Sequence, residues 1–262
     1  MGWLRHHLAS KNIVVLDARS RTAYSSAHIP GARNADLFHY FVPGTDRKSL
    51  TVLHRDLESK LGRLGLRDGE QPIVYESGFG MRAARVAWML EYAGMKNPLM
   101  LEGGFRAWKD SKYPVEKRGK VTVPTIFKAH PDPTVLATAS YVRSQSTAPN
   151  GVVLDVRSRG EYDGSENREC CPRTGRVPGA VWFEWTNFLN GKGGFKTLRS
   201  ISRQLRSMGL GPSSDIAVYC HRGARAAAAF YALRSMGYNR ARNYVGSWHE
   251  WSSKKNLPTE RG

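Results

Sequence analysis

Cysteine is scarce in this chain: Cys170, Cys171 and Cys220 are the only three in 262 residues. So small and odd a number argues against a disulfide framework and fits a reducing compartment. Long apolar runs are missing as well, and nothing approaches the ~20 apolar residues of a membrane-spanning helix. Met1 to Ser10 carries Arg5, His6 and His7 but no apolar signal core, so secretion has no support. These absences point to the cytoplasm, with an organelle matrix still open. Acidic residues are also few, 22 against 40 basic ones, for a net charge of +18. Such a balance raises nucleic acid as a partner. The basic residues are dispersed, however, without a run of five or more Lys or Arg. A solvated basic surface is the simpler reading; steering of small anions or weak polyanion contact is the other. Oligomeric state leaves no mark in the sequence.

What is present is ordinary globular material, 40% hydrophobic and 24% charged, long enough for two domains. The chain also repeats itself once. Ile13-Val14-Val15-Leu16-Asp17-Ala18-Arg19-Ser20 returns as Gly151-Val152-Val153-Leu154-Asp155-Val156-Arg157-Ser158. His28-Ile29-Pro30-Gly31-Ala32 returns as Arg176-Val177-Pro178-Gly179-Ala180. Pro72-Ile73-Val74-Tyr75 matches Ile216-Ala217-Val218-Tyr219, and Gly103-Gly104-Phe105 matches Gly246-Ser247-Trp248. Blocks in one order at similar spacing mean duplication. Pro124, Pro131 and Pro133 mark an extended linker. The expected organisation is a domain over 1–118, a linker over 119–134 and a second domain over 135–262. In each half, short β-branched runs without polar alternation read as strands buried on both faces. Helices over Arg82–Ala93 and Arg225–Met236 end at Gly94 and Gly237. The fold class is α/β, two tandem domains, each an open parallel sheet flanked by helices.

In such sheets ligands bind beyond the carboxyl ends of the strands. After Tyr219 comes Cys220-His221-Arg222-Gly223-Ala224-Arg225 and then an alanine-rich helix. A sulfur there lies at a rigid strand end. It meets the N–H groups of a tight loop and the positive end of the helix dipole. Arg222 and Arg225 add full charge, and Gly223 allows close backbone approach. Each factor favours thiolate, and such settings bring a cysteine pKa from ~8.5 to roughly 3.5–7.5. Cys220 is therefore the candidate nucleophile, against the plainer alternative of a small buried hydrophobe.

These residues resemble the rhodanese superfamily, specifically its two-domain thiosulfate and 3-mercaptopyruvate sulfurtransferases. The resemblance covers nearly the whole chain. It is carried by Val177-Pro178-Gly179-Ala180, by the Cys220–Arg225 loop and by Val245-Gly246-Ser247-Trp248-His249-Glu250-Trp251. It implies that Cys220 carries sulfur as a persulfide, taken from a small anionic donor and passed to cyanide or a thiol, with thioredoxin among the candidates. It implies no cofactor. The Cys-x4-Arg spacing suits one sulfur atom, whereas the superfamily's phosphatases and arsenate reductases use Cys-x5-Arg. Mercaptopyruvate enzymes of the family have a small neutral loop and an arginine before the aromatic that follows the aspartate motif. Here the loop is basic and Glu161 precedes Tyr162, which tilts the donor to thiosulfate. A sulfur carrier serving a protein or a tRNA-modifying partner, and a non-catalytic interaction module, are the alternatives. In the first half Glu76 replaces the cysteine, so that domain is expected to act as scaffold, with Glu76 solvated or paired with Arg82 and a proton-transfer role as the less favoured alternative.

Other assignments are less sharp. His221, Arg222, Gly223, Ala224, Arg225 and Trp248 are expected to bind substrate. His221 is either a general acid or solvated. Arg225 either screens the donor or pairs with a carboxylate beneath the loop. Trp248 and Trp251 either wall a cleft or pack the core. Asp155 and Arg157 are expected to support the site through backbone hydrogen bonds, as Asp17 and Arg19 do in the other half. Cys170 and Cys171 fall in a polar stretch, 164–176, read as an exposed loop. A redox switch with Cys220 is one reading of them. A zinc site is not expected, because Cys-x-x-Cys spacing and a following His pair are both missing.

Overall fold

The structure is a computed structural model describing every residue except Lys120, which falls inside the expected linker and lies outside the described residues. The chain forms two compact units. The first comprises Met1–Tyr40, Thr51–Asp132 and Gly191–Gly194; the second comprises Phe41–Leu50, Pro133–Asn190 and Phe195–Gly262. Each unit thus takes in a short segment from the other half of the sequence.

The first unit holds strands β1 (Ile13–Asp17), β2 (Arg33–Asn34), β3 (Gln71–Tyr75) and β4 (Leu99–Met100). They form a parallel sheet in the order β2-β1-β3-β4. Helices α1 (Gly2–His7), α2 (Arg21–Ser26), α3 (Arg47–Arg63), α4 (Met81–Tyr92) and α5 (Gly104–Asp110) accompany it, α3 beginning within the residues of the second unit. The extended segment up to Asp132 hydrogen-bonds to this unit, with Thr125 N–H donating to Gly62 O and His130 N–H to Ala93 O, both at 2.9 Å.

The second unit repeats the plan with β5 (Gly151–Asp155), β6 (Val181–Trp182), β7 (Asp215–Tyr219) and β8 (Ala241–Asn243), in the order β6-β5-β7-β8, all parallel. Its helices are α6 (Ala139–Gln145), α7 (Arg159–Asp163), α8 (Leu198–Ser207), α9 (Ala224–Ser235) and α10 (Ser247–Ser253). Ile216, Ala217, Val218 and Tyr219 are all fully buried, because helices cover both faces of the central strand. Alanines 226 to 229 let α9 lie close on the sheet. The carboxyl end of β7 therefore delivers Cys220 from a buried strand. Among the described residues no helix is long and apolar enough to cross a membrane.

Candidate active site

Cys220 follows β7 directly and is 1% exposed. Gly223 N–H donates to its Sγ at 3.1 Å, one residue before α9 begins. Gly223 has φ +80, and a Cβ there would lie 2.7 Å from Val245 O, so the loop closes only around glycine. From below, Trp248 N–H donates to Cys220 O (3.0 Å) and His249 N–H to His221 O (3.1 Å). Ser247 completes this base. Its Oγ accepts from Cys220 N–H at 3.1 Å, donates to Tyr244 O at 2.7 Å and lies 3.9 Å from Sγ. Ser247 also holds a left-handed φ of +52, where the other half has Gly104 at +59. A residue with a side chain is kept in a backbone conformation suited to glycine, and the hydroxyl is what glycine would lack.

Arg225 pairs with Glu161 through Nη1–Oε2 (2.6 Å) and Nη2–Oε1 (2.8 Å). Burial works to raise the Glu161 carboxyl, but Arg225, with help from Arg168 and Ser158, holds it well below the usual carboxylate range. The pairing with a carboxylate expected as one role of Arg225 is thus present. Arg222 lies over the ring of Phe41, 4.6 Å from its centroid, and that ring meets His249 edge-on at 4.5 Å. Phe41 belongs to the segment that the first half of the sequence contributes to this unit. The segment is tethered at Thr45, which donates through N and Oγ1 to the buried Glu250 (2.9 and 2.8 Å).

Asp155 and Arg157 form a buried pair, with Nη2–Oδ2 at 2.6 Å. Asp155 Oδ2 also accepts from Tyr219 Oη at 2.5 Å, Tyr219 Oη accepts from Val177 N–H, and Arg157 Nη2 reaches Gly175 O at 2.8 Å. The pair fastens the ends of β5 and β7 to the Val177-Pro178-Gly179 turn. Trp248 requires a correction: it is 3% exposed, belongs to the core cluster and lies under Arg157, donating through Nε1 to Arg173 O at 3.1 Å. It supports the site from beneath and does not line it. Trp251 is likewise core.

A model of the rhodanese-like domain matches residues 1–111 and again 138–254. The chain belongs to the rhodanese family. A thiosulfate sulfurtransferase of Azotobacter vinelandii is 29% identical to this rhodanese, covering 98% of this chain and 94% of its own. A probable 3-mercaptopyruvate sulfurtransferase of Pseudomonas aeruginosa is 30% identical, with 99% and 96% covered. A sulfur carrier protein of Thermus thermophilus is 27% identical over 99% of this chain and 95% of its own. Among solved structures, a probable thiosulfate sulfurtransferase is 35% identical with a TM-score of 0.76, covering 95% and 98%. An anaerobic ergothioneine biosynthesis enzyme from Chlorobium limicola is 25% identical with a TM-score of 0.85, covering 96% of this chain and 65% of that one.

The other half of the rhodanese shows what replaces a cysteine. Glu76 Oε2 accepts from Ala83 N–H at 2.8 Å, in the first turn of α4. A carboxylate oxygen thus takes hydrogen bonding that a sulfur anion could use. The expected partner Arg82 acts on Glu76 through its backbone N–H and its charge, while its guanidinium lies 3.7 Å from Asp36. Burial raises the Glu76 carboxyl against the pull of the Ala83 and Arg82 backbone donors and the Arg82 charge. The buried Asp17–Arg19 pair, with Tyr75 Oη on Asp17 at 2.6 Å, reproduces the Asp155 network.

The 164–176 stretch differs from its reading as an exposed loop. Cys170 is exposed, but Cys171 is 2% exposed and part of the core. Cys170 Sγ lies 3.1 Å from His221 Nε2 and 3.9 Å from Cys171 Sγ. His221 is therefore half-buried, not solvated, and burial together with Arg168 and Arg222 lowers its pKa to about 4. Ser247, Phe41, Thr45 and the Cys170–His221 contact all escaped the sequence. Only Ser247 left a trace there, as the side chain standing where the repeat has Gly104.

Proposed function

We propose that this rhodanese is a sulfurtransferase that moves sulfane sulfur through a Cys220 persulfide. One observation carries the reading: Cys220 Sγ accepts Gly223 N–H at 3.1 Å beside the start of α9, on a loop bearing Arg222 and Arg225. In the first half-reaction the Cys220 thiolate attacks the outer sulfur of thiosulfate. The S–S bond of the donor breaks, sulfite leaves with its electron pair, and the terminal persulfide sulfur carries the negative charge. In the second, cyanide or a thiolate attacks that terminal sulfur and Cys220 departs as thiolate. Thiocyanate or the acceptor's persulfide is the product. Backbone N–H groups and the helix dipole stabilise negative sulfur in each state without rearranging.

Thiosulfate is preferred over 3-mercaptopyruvate as donor. Arg222 gives the loop a cation suited to a dianion, and Glu161, tied to Arg225, leaves no arginine at its position to bind a donor carboxylate. Small acceptors suit a sulfur that is 1% exposed, with thioredoxin the candidate protein thiol. The three free cysteines fit a reducing cytoplasm or organelle matrix. The sulfur-carrier reading has one observation behind it, the carrier protein of Thermus thermophilus at 27% identity. Steady-state assays decide both choices. A higher kcat/KM with thiosulfate and cyanide than with mercaptopyruvate and cyanide supports the donor assignment, and the reverse order overturns it. Stoichiometric sulfur loading with negligible turnover on any small acceptor would favour the carrier.

A further inference from the structure

We propose that Cys170, Cys171 and His221 form a binding site for a thiophilic metal ion, with Zn2+ the fitting probe. Their ligating atoms all lie within 4.8 Å of one another. A tetrahedral zinc with Zn–S of about 2.3 Å and Zn–N of about 2.0 Å places two sulfurs about 3.8 Å apart and a sulfur and a nitrogen about 3.5 Å apart. The observed separations are 3.9 Å for Cys170–Cys171 and 3.1 Å for Cys170–His221, so these two edges lie within a few tenths of an ångström of the zinc values, and the Cys171–His221 edge is no longer than 4.8 Å. The sequence argument against zinc looked for local ligand spacing. Folding instead supplies the third ligand from 51 residues away.

The ligand segment is also held in place. Arg173 donates to Trp251 O, Ser252 O, Lys254 O and Leu257 O at 2.7–2.8 Å, fastening it to the end of α10. Cys171 N–H donates to Arg168 O, and Asn167 Nδ2 to Cys171 O. Such outer hydrogen bonds orient ligands before the metal arrives. Binding releases two thiol protons to solvent, while the Nε2 lone pair of a neutral imidazole completes the third bond. Two thiolates neutralise a divalent ion, so nearby Arg168 and Arg222 do not oppose it, and they favour an anion at the open fourth position. The ligand His221 adjoins Cys220 in the chain. Occupancy therefore stiffens the loop and slows sulfur loading, a consequence that rests on the sulfurtransferase reading; the binding itself does not.

The test uses the reduced full-length chain, titrated with Zn2+ and separately with Co2+. The expected result is one ion per chain and a Co2+–thiolate charge-transfer band. In Cys170→Ser affinity falls by more than about 100-fold, beyond the range of an outer-shell defect, while thiosulfate activity without metal is retained. In Cys220→Ser binding persists. Binding that survives Cys170→Ser overturns the proposal, and so does binding that disappears in Cys220→Ser, which would place the metal on the active cysteine. Absence of a charge-transfer band overturns it as well.

Discussion

Ser247 is where one side chain carries most consequence beyond the cysteine itself. Its hydroxyl satisfies Cys220 N–H from a backbone at φ +52. Ser247→Ala keeps the strain and orphans a buried donor, a loss of about 1–3 kcal/mol. Ser247→Gly loses the same hydrogen bond but relieves the left-handed conformation. Urea denaturation should rank native above Gly above Ala; equal losses for the two variants would deny that strain is stored there. Glu161 gives a second case. Glu161→Gln leaves Arg225 charged and largely enclosed, and should lower stability by about 3 kcal/mol in the same assay. A loss below about 1 kcal/mol is what an exposed pair would give. His221 governs a pH window. Its pKa of about 4 in the fold lies below the ~6.5 of a free imidazole. Between those values the unfolded chain binds a proton that the folded one does not, so stability rises with pH across the window and falls on acidification. In His221→Gln the denaturation midpoint should drop less between about pH 7 and pH 5 than in the native protein; an unchanged drop would contradict the buried, neutral imidazole.

At the scale of elements, the strand–loop–helix unit of β7, the Cys220 loop and α9 makes its own prediction. Gly223 and Gly237 stand at the two ends of α9, with φ of +80 and +90. Gly237 faces open space, whereas a Cβ on Gly223 meets Val245 O at 2.7 Å. Gly237→Ala should therefore lower stability by about 1–2 kcal/mol, the left-handed penalty alone, and leave sulfur loading intact. Gly223→Ala should lose more stability and slow loading by displacing the N–H that meets Sγ. Similar behaviour in loading assays would mean the loop tolerates rearrangement. Elements of this kind were legible in the sequence. Apolar runs without alternation marked the four long strands, Gly94 and Gly237 marked helix ends, and the Cys220 loop stood out by chemistry. The expected helix over Arg225–Met236 is α9 shifted by one residue.

For the whole molecule, duplication was the most legible feature, because two copies constrain each other. The Asp17 and Asp155 networks share their Asp–Arg and Tyr–Asp hydrogen bonds. What stayed hidden was whatever depends on contacts between distant segments. Phe41–Leu50 joins the second unit, and neither the composition nor the spacing of that stretch announces it. Trp248 read as wall or core, with core the commoner fate of such an aromatic, and its position under Arg157 decides. Cys170 and Cys171 lacked local spacing, and their neighbour His221 is reached only through the fold. The most direct test of the account is the intact mass of the reduced protein after brief exposure to thiosulfate and removal of excess donor. Native chain should gain one sulfur atom, mapped by peptide analysis to Cys220 and removed by cyanide, while Cys220→Ser gains none. A native protein that never gains that mass, or one that gains it equally without Cys220, contradicts the central claim.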